Sequence, residues 1–188
     1  EKGCSHPTMS EETMTDVATF VRSGYSGIND LHVDWYGGEP LLCVDMIERL
    51  TKELRGAIRP GATYSAGMVT NGYLLTREIA QKLADCQVGS VQITIDGSKR
   101  DHDSRRVPAD GRPTYDAIID NIISCADVLQ ITIRVNVDES NSKEVDALID
   151  ELEARGLRGK VAIYLAAVDN VNDTCSNDIH CFSQRGFS

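Results

Sequence analysis

Residues 31–57 read LHVDWYGGEPLLCVDMIERLTKELRGA, and the change of pattern inside that stretch decides the fold. Leu31 to Tyr36 reads as a strand, which Gly37-Gly38 halts. From Leu42 to about Ala57, Met46, Ile47, Leu50 and Leu54 fall on one helical stripe. A strand, a Gly-rich corner and a helix of ten or more residues make the repeating unit of a parallel sheet.

The same alternation extends in both directions. Ser10 opens a helix through about Arg22, with Glu11 and Glu12 suiting its positive end, and the segment Ser23 to Gly27 closes it. Further strands are expected at Thr63–Thr70, Ser90–Asp96, Leu129–Val137 and Lys160–Val168. Helices at Thr76–Asp85, Thr114–Asp127 and Ser142–Ala154 separate them, and a long polar loop joins Asp96 to Thr114. The tail from Asp169 reads as irregular. The expected class is α/β, with parallel strands alternating with helices and no repeat, linker or low-complexity stretch beyond that alternation.

The chain has 188 residues, with 19 basic against 29 acidic side chains and a formal net charge of −10. That length suits one domain, and 26% charged with 41% hydrophobic residues is ordinary for a globular protein. The longest apolar run, Val161 to Val168, is eight residues, and a bilayer needs about twenty, so no membrane span is expected. An acidic chain with scattered Lys and Arg lacks the basic stripe of a phosphate-backbone binder, so nucleic acid is not an expected partner. Six cysteines stand at 4, 43, 86, 125, 175 and 181 without a Cys-x-x-Cys pair, which favours a reducing cytoplasm. Cys175 and Cys181, with His180 between them, lack zinc-knuckle spacing and read as free thiols.

In parallel α/β folds the loops at the carboxyl ends of the strands carry the chemistry. The first end is Gly37-Gly38-Glu39-Pro40. Its glycines let the backbone approach a ligand with carbonyls towards a donor, Glu39 adds a carboxylate, and Pro40 presets the helix start. Together they suit a primary ammonium group; Gly-Gly read alone is an ordinary Gly-rich turn with an exposed Glu, since such turns are common. The second end, Thr70-Asn71-Gly72, is a strong turn signal whose first two side chains project into the same mouth. The third offers the Thr94 hydroxyl, the Asp96 carboxylate and the Arg106 fork, which suits a carboxylate. His102 between Asp101 and Asp103 invites a metal reading, as against a solvated charged loop. The fourth end places Asn136 between Val135 and Val137, where a polar group needs a partner. The fifth strand, Tyr164-Leu165-Ala166, could lay its backbone against a flat ring.

The order of these signals resembles the radical S-adenosylmethionine (AdoMet) superfamily. It is similar above all to its peptide- and protein-modifying branch with SPASM or twitch cluster domains, which includes anaerobic sulfatase-maturating enzymes and thioether-forming maturases. The resemblance implies a partial (β/α)6 TIM-like barrel, strands two to six, with the first strand missing. It implies an incomplete core over residues 1–168 and a tail, 169–188, leading towards an absent auxiliary-cluster domain.

By position, the resemblance assigns Gly37, Gly38 and Glu39, with Pro40 and the Thr70-Asn71 turn beside them, to the methionine amino group of AdoMet. Thr94 and Arg106 would meet its carboxylate, Asn136 its ribose and the backbone near Leu165 its adenine. It implies a [4Fe–4S] cluster that reductively cleaves AdoMet to a 5′-deoxyadenosyl radical, a peptide or protein substrate, and an electron donor such as flavodoxin or ferredoxin. The cluster is held in relatives by a Cys-x3-Cys-x2-Cys loop; here only Cys4 lies near the start, in Glu1-Lys2-Gly3-Cys4. The ligands are therefore expected to be absent from this chain, which by itself is expected to be inactive, and no residue is assigned a catalytic or metal-ligating role. Two rivals are a metal-dependent α/β hydrolase or isomerase using Asp96, His102 and Asp103, and a non-catalytic peptide-binding domain.

Overall fold

The computed structural model describes residues 8–25, 27–108 and 111–168. In chain order the elements are α1 (Glu11–Gly24), β1 (Asp30–Trp35), α2 (Val44–Ala57), β2 (Thr63–Thr70), α3 (Arg77–Asp85) and β3 (Val88–Ile95). They continue with α4 (Lys99–Arg105), α5 (Tyr115–Cys125), β4 (Gln130–Val137), α6 (Val145–Ala154) and β5 (Val161–Ala167). All five strands are parallel and stand in the order β1-β2-β3-β4-β5.

That order has a geometric consequence. Parallel crossovers take the right hand, so strands added always on the same side send every connecting helix to the same face. A doubly wound sheet needs a reversal of direction, and none occurs among these five strands. The sheet is therefore a wall of a (β/α) barrel, helix-covered outside and open on the inner face.

The burial pattern matches. Ile93, Ile95, Ile131, Ile133 and Val135 are buried in one core with Leu83, Ile118, Ile119, Ile122 and Leu148 of the helices. Alternating with them, Gln92, Thr94, Thr132, Arg134 and Asn136 point to the inner face and are only half-buried. Burial of each large aliphatic side chain contributes about 1.5–3 kcal/mol, so the helix-side layer fixes the register of the polar layer.

Helix starts follow their caps. Ser10 Oγ accepts the Thr13 amide at 3.1 Å, and Thr76 Oγ1 accepts that of Ile79 at 3.3 Å. The expected polar loop before α5 contains the short helix α4, begun by Ser98, whose Oγ accepts the Asp101 amide at 3.4 Å. Of its seven residues only His102 is buried, so no apolar stripe announces it. Pro40–Cys43 and Ser142–Glu144 form 3-10 turns ahead of α2 and α6, and β3 starts two residues before the expected Ser90, at Val88. No helix among the described residues is long and apolar enough to cross a membrane. Cys4, Cys175, His180, Cys181 and the 169–188 tail lie outside the described residues.

Candidate functional site

Side chains tie the carboxyl ends of the strands in two pairs, β1 with β2 and β3 with β4. At the first, Gly37 (φ +105°) and Gly38 (φ +41°) sit in the left-handed region. Nothing lies within 4 Å of where a Cβ would be at either, so the backbone conformation and not crowding demands glycine. Glu39 follows in an extended conformation. Its Oε1 accepts the Leu41 amide at 3.1 Å and the Thr70 hydroxyl at 2.5 Å, and its Oε2 accepts the Asn71 amide at 2.9 Å. One carboxylate thus caps the turn after β1 and clasps the end of β2. With three of about four acceptor positions engaged, the side chain is chiefly a clasp for the Gly-Gly loop.

The second end is stiffened in the same way. Thr70 Oγ1 accepts the Gly72 amide at 3.1 Å, and Asn71 Oδ1 accepts that of Tyr73 at 2.8 Å, an Asx turn. Gly72 stands at φ +76°, and a Cβ there would lie 2.9 Å from Ile93 Cγ2. Asn121 of α5 donates to the carbonyls of Gly72 and Tyr73 at 3.0 and 2.9 Å.

Asp96, just past β3, is the hub of the other half. It is only 6% exposed. Its Oδ2 accepts Arg106 Nε at 2.5 Å and its Oδ1 accepts Asn136 Nδ2 at 2.8 Å, while Arg134 Nε donates to Asn136 Oδ1 at 3.1 Å. Arg106 is a third exposed and keeps guanidinium donors beyond those that meet Asp96. Thr94 stands beside Arg134 in the β3–β4 register, and Leu165 pairs with Val135 one strand further on.

Below this hub sits a buried support. Asn141, with no exposure, donates through Nδ2 to the carbonyls of Asn136 (2.9 Å) and Asp96 (3.3 Å), and accepts the Asp138 amide at 2.9 Å. Asp138 Oδ1 accepts from the Ser140 amide and hydroxyl and the Asn141 amide, and Arg105 lies 2.8 Å from Oδ2. Burial pushes the Asp138 carboxyl up, but the Ser140 and Arg105 contacts outweigh it and hold the group below the usual carboxylate range.

His102 is fully buried, its Nδ1 accepting the Asp96 amide at 3.4 Å and its Nε2 lying 3.2 Å from Thr114 Oγ1. Its ring meets Tyr115 edge-on at 5.8 Å. Burial, with the charge of Arg106, lowers its pKa despite Asp96 and Asp103. Asp103 Oδ1 accepts the Thr114 and Tyr115 amides at 2.9 and 3.0 Å and so caps α5. Asp96, His102 and Asp103 thus meet backbone amides, Thr114, Asn136 and Arg106, and among the described residues they form no group that could hold a metal ion. Asp96, expected as a carboxylate at this strand end, serves as its hub, whereas Asn141 was not among the expected residues; the Asp138-x-x-Asn141 spacing, a local turn signature, was its signal.

A cavity of about 290 Å³ opens beside this mouth, lined by Asn71, Tyr73, Arg106, Val107 and Ile118 among others. A larger groove, about 780 Å³, lies at the opposite end of the sheet around Lys52, Arg55, Arg59 and Tyr64. It touches none of the strand-end residues, so size does not mark the site.

Comparison with known proteins agrees with the fold. The sequence profile of the Radical SAM superfamily matches residues 6–152, most of the chain. The chain belongs to the Radical SAM superfamily. Fe-coproporphyrin III synthase of Methanosarcina barkeri (strain Fusaro / DSM 804) is 26% identical over 118 residues, covering 62% of this chain and 27% of that protein. The solved structure of native anSMEcpe, an anaerobic sulfatase-maturating enzyme, with bound AdoMet superposes with a TM-score of 0.73. It is 18% identical and covers 86% of this chain and 44% of its own. The same enzyme with AdoMet and the Cp18Cys peptide gives 0.78, at 16% identity, over 94% of this chain and 48% of that one. At such identities the likeness speaks to the fold, which is the expected partial TIM-like barrel. The chain spans less than half the length of these relatives.

Radical SAM proteins use AdoMet with a [4Fe–4S] cluster. The described residues suit the first and not the second. Cys43 is half-buried and Cys86 and Cys125 are buried; burial raises both of the latter thiols. No group of three or more His, Cys, Asp or Glu among the described residues could hold a metal ion.

Proposed function

We infer that the strand-end mouth binds AdoMet and that the chain is the barrel part of an enzyme that uses it to modify a peptide or protein. One observation carries this reading. The Gly37-Gly38 loop, held by the Glu39 clasp, and the Arg106 guanidinium, held by Asp96, belong to the same rim. A zwitterionic amino-acid group needs carbonyl or carboxylate acceptors for its ammonium and a guanidinium for its carboxylate.

On this reading Gly37 and Gly38 carbonyls, with the free acceptor position of Glu39, take the ammonium. Pro40 and the Thr70-Asn71 turn hold that loop in place. The Thr94 hydroxyl and Arg106 take the carboxylate, Asn136 the ribose, and the β5 backbone near Leu165 the adenine. Bound there, AdoMet supplies the hydrogen-abstracting radical of the family, and the protein supplies orientation. The described residues offer no ligands for the cluster.

The peptide substrate is supported by the fold shared with anSMEcpe, which has been solved with Kp18Cys and Cp18Cys peptides. Residues 1–168 form the core on this reading, 169–188 lead towards an auxiliary-cluster domain, and a flavodoxin or ferredoxin supplies electrons. The buried free thiols favour a reducing cytoplasm.

The test is calorimetric titration of AdoMet into the full-length protein, prepared anaerobically, beside Glu39→Ala and Arg106→Ala. The reading requires both variants to bind about tenfold more weakly or worse, as loss of a charged hydrogen bond worth about 1.5–3 kcal/mol implies. Unchanged affinity in both would sink it.

A further inference from the structure

The inner face carries a second polar cluster that the mouth does not use. His32 and Asp34 stand two residues apart on β1, with Ser65 and Gly67 opposite them on β2. His32 Nδ1 is 2.8 Å from Ser65 Oγ, and His32 Nε2 is 3.3 Å from Asp34 Oδ1. A Cβ on Gly67 would lie 2.6 Å from Asp34 Oδ1, 3.3 Å from Ser90 Oγ and 3.7 Å from His32 Nε2. Gly67 has no left-handed φ, and the Asp34 carboxylate occupies the space a side chain would take there, so a Cβ would push that carboxylate aside. This gap lets Asp34 lean towards His32.

The hydrogen-bond order follows from chemistry. A carboxylate only accepts, so the neutral imidazole places its hydrogen on Nε2, and Nδ1 is left to accept the Ser65 hydroxyl proton. The His32 and Asp34 side chains are 55% and 72% exposed, so the cluster opens onto the inner face of the barrel wall.

We propose that Ser65, His32 and Asp34 form a proton relay that takes a proton from the thiol or hydroxyl of a peptide lying along the inner face. The peptide rests on the reading given under Proposed function. In the step, the substrate S–H or O–H bond breaks heterolytically and its electron pair stays on sulfur or oxygen. The proton passes to Ser65 Oγ as the proton of Ser65 moves to His32 Nδ1, and Asp34 stabilises the imidazolium. No electron is gained or lost.

p-Nitrophenyl acetate tests the relay on the full-length protein without peptide or AdoMet. Ser65 Oγ bonds to the acetyl carbon, the ester C–O bond breaks, p-nitrophenolate leaves with the electron pair, and the Ser65 proton goes to His32. Mass spectrometry should find Ser65 acetylated at least about tenfold faster than exposed Ser90 on the same face, given what a positioned general base contributes. The advantage should vanish in His32→Gln and shrink in Asp34→Asn. Equal rates at Ser65 and Ser90, or no change in His32→Gln, overturn the relay. Long-range proton–nitrogen NMR of the wild-type protein gives a second reading that needs no variant. It should show His32 protonated on Nε2, and an Nδ1–H tautomer also overturns the relay. Neither arm involves AdoMet, so loss of the relay leaves the AdoMet reading standing. Loss of AdoMet binding in the calorimetry would remove the substrate assignment and not the relay.

Discussion

Glu39 and Thr70, 31 residues apart in sequence, are joined by a 2.5 Å hydrogen bond that closes the ends of two neighbouring strands. The bond makes Glu39 a fastener of the loop as well as a wall of the mouth.

Thr70→Val separates these two roles, because it removes the hydroxyl and leaves the Glu39 carboxylate in place. We expect a loss of about 1–2 kcal/mol in urea unfolding, for the hydrogen bond and the Gly72 amide it also serves. AdoMet affinity should fall with it if the Gly-Gly loop is positioned by the clasp. Wild-type affinity in a folded Thr70→Val protein would show that it is not.

Asp96→Ala should cost about 1–3 kcal/mol, since it removes the acceptor of the half-buried Asn136 amide and of the Arg106 guanidinium. Asp96→Asn keeps an acceptor and should cost less. Denaturant midpoints of the two variants measure the difference, and equal midpoints would contradict the hub.

Asn141→Ala leaves the Asp138 amide and the carbonyls of Asp96 and Asn136 without this partner in a largely buried place. At roughly 1–3 kcal/mol for each unsatisfied group, the loss should exceed about 3 kcal/mol. Thermal unfolding no lower than wild type would refute this account of the support.

The buried His102 predicts a pH dependence. Its folded pKa lies below the ordinary 6.5, so on acidification the unfolded chain binds the proton first. The contribution is complete above about pH 6.5 and is lost as pH falls from there through the folded value. Urea midpoints between pH 8 and 5 should therefore drop on the acid side, with a shallower slope in His102→Gln. Parallel slopes would assign the effect to other groups.

Gly72→Ala meets both left-handed backbone and the Ile93 side chain. It should cost about 2 kcal/mol or more, whereas Gly89→Ala, with nothing within 4 Å and no such φ, should be nearly neutral. Similar midpoints for the two would contradict the packing.

The alternation of strands and helices was legible because periodicity is local: Met46, Ile47, Leu50 and Leu54 announce their helix by spacing alone. Helix α4 escaped because Lys99 to Arg105 is charged nearly throughout and is held by Ser98 and the burial of one histidine. In the site, the strand ends were legible by rule, but their wiring was not. That Glu39 meets Thr70, or Asp96 meets Asn136 40 residues on, depends on register between strands, which no single segment encodes. His32 and Asp34 carry no local signal for a related reason, since polar residues alternating along a strand read as a solvated face.

The sequential strand order also bears on how the molecule assembles. Among the described residues every ladder joins a strand to the next one in the chain, from Asp30–Thr63 through Ser90–Gln130 to Ile131–Val161, and no pairing there waits for a distant segment. Each closure costs the entropy of one strand–helix unit, so this sheet can grow by accretion during synthesis. The Glu39 clasp forms once β2 has docked, whereas the Asp96–Asn136 contact waits for β4. The rim of the mouth is thus completed in two stages, with its Asp96–Asn136 half the later.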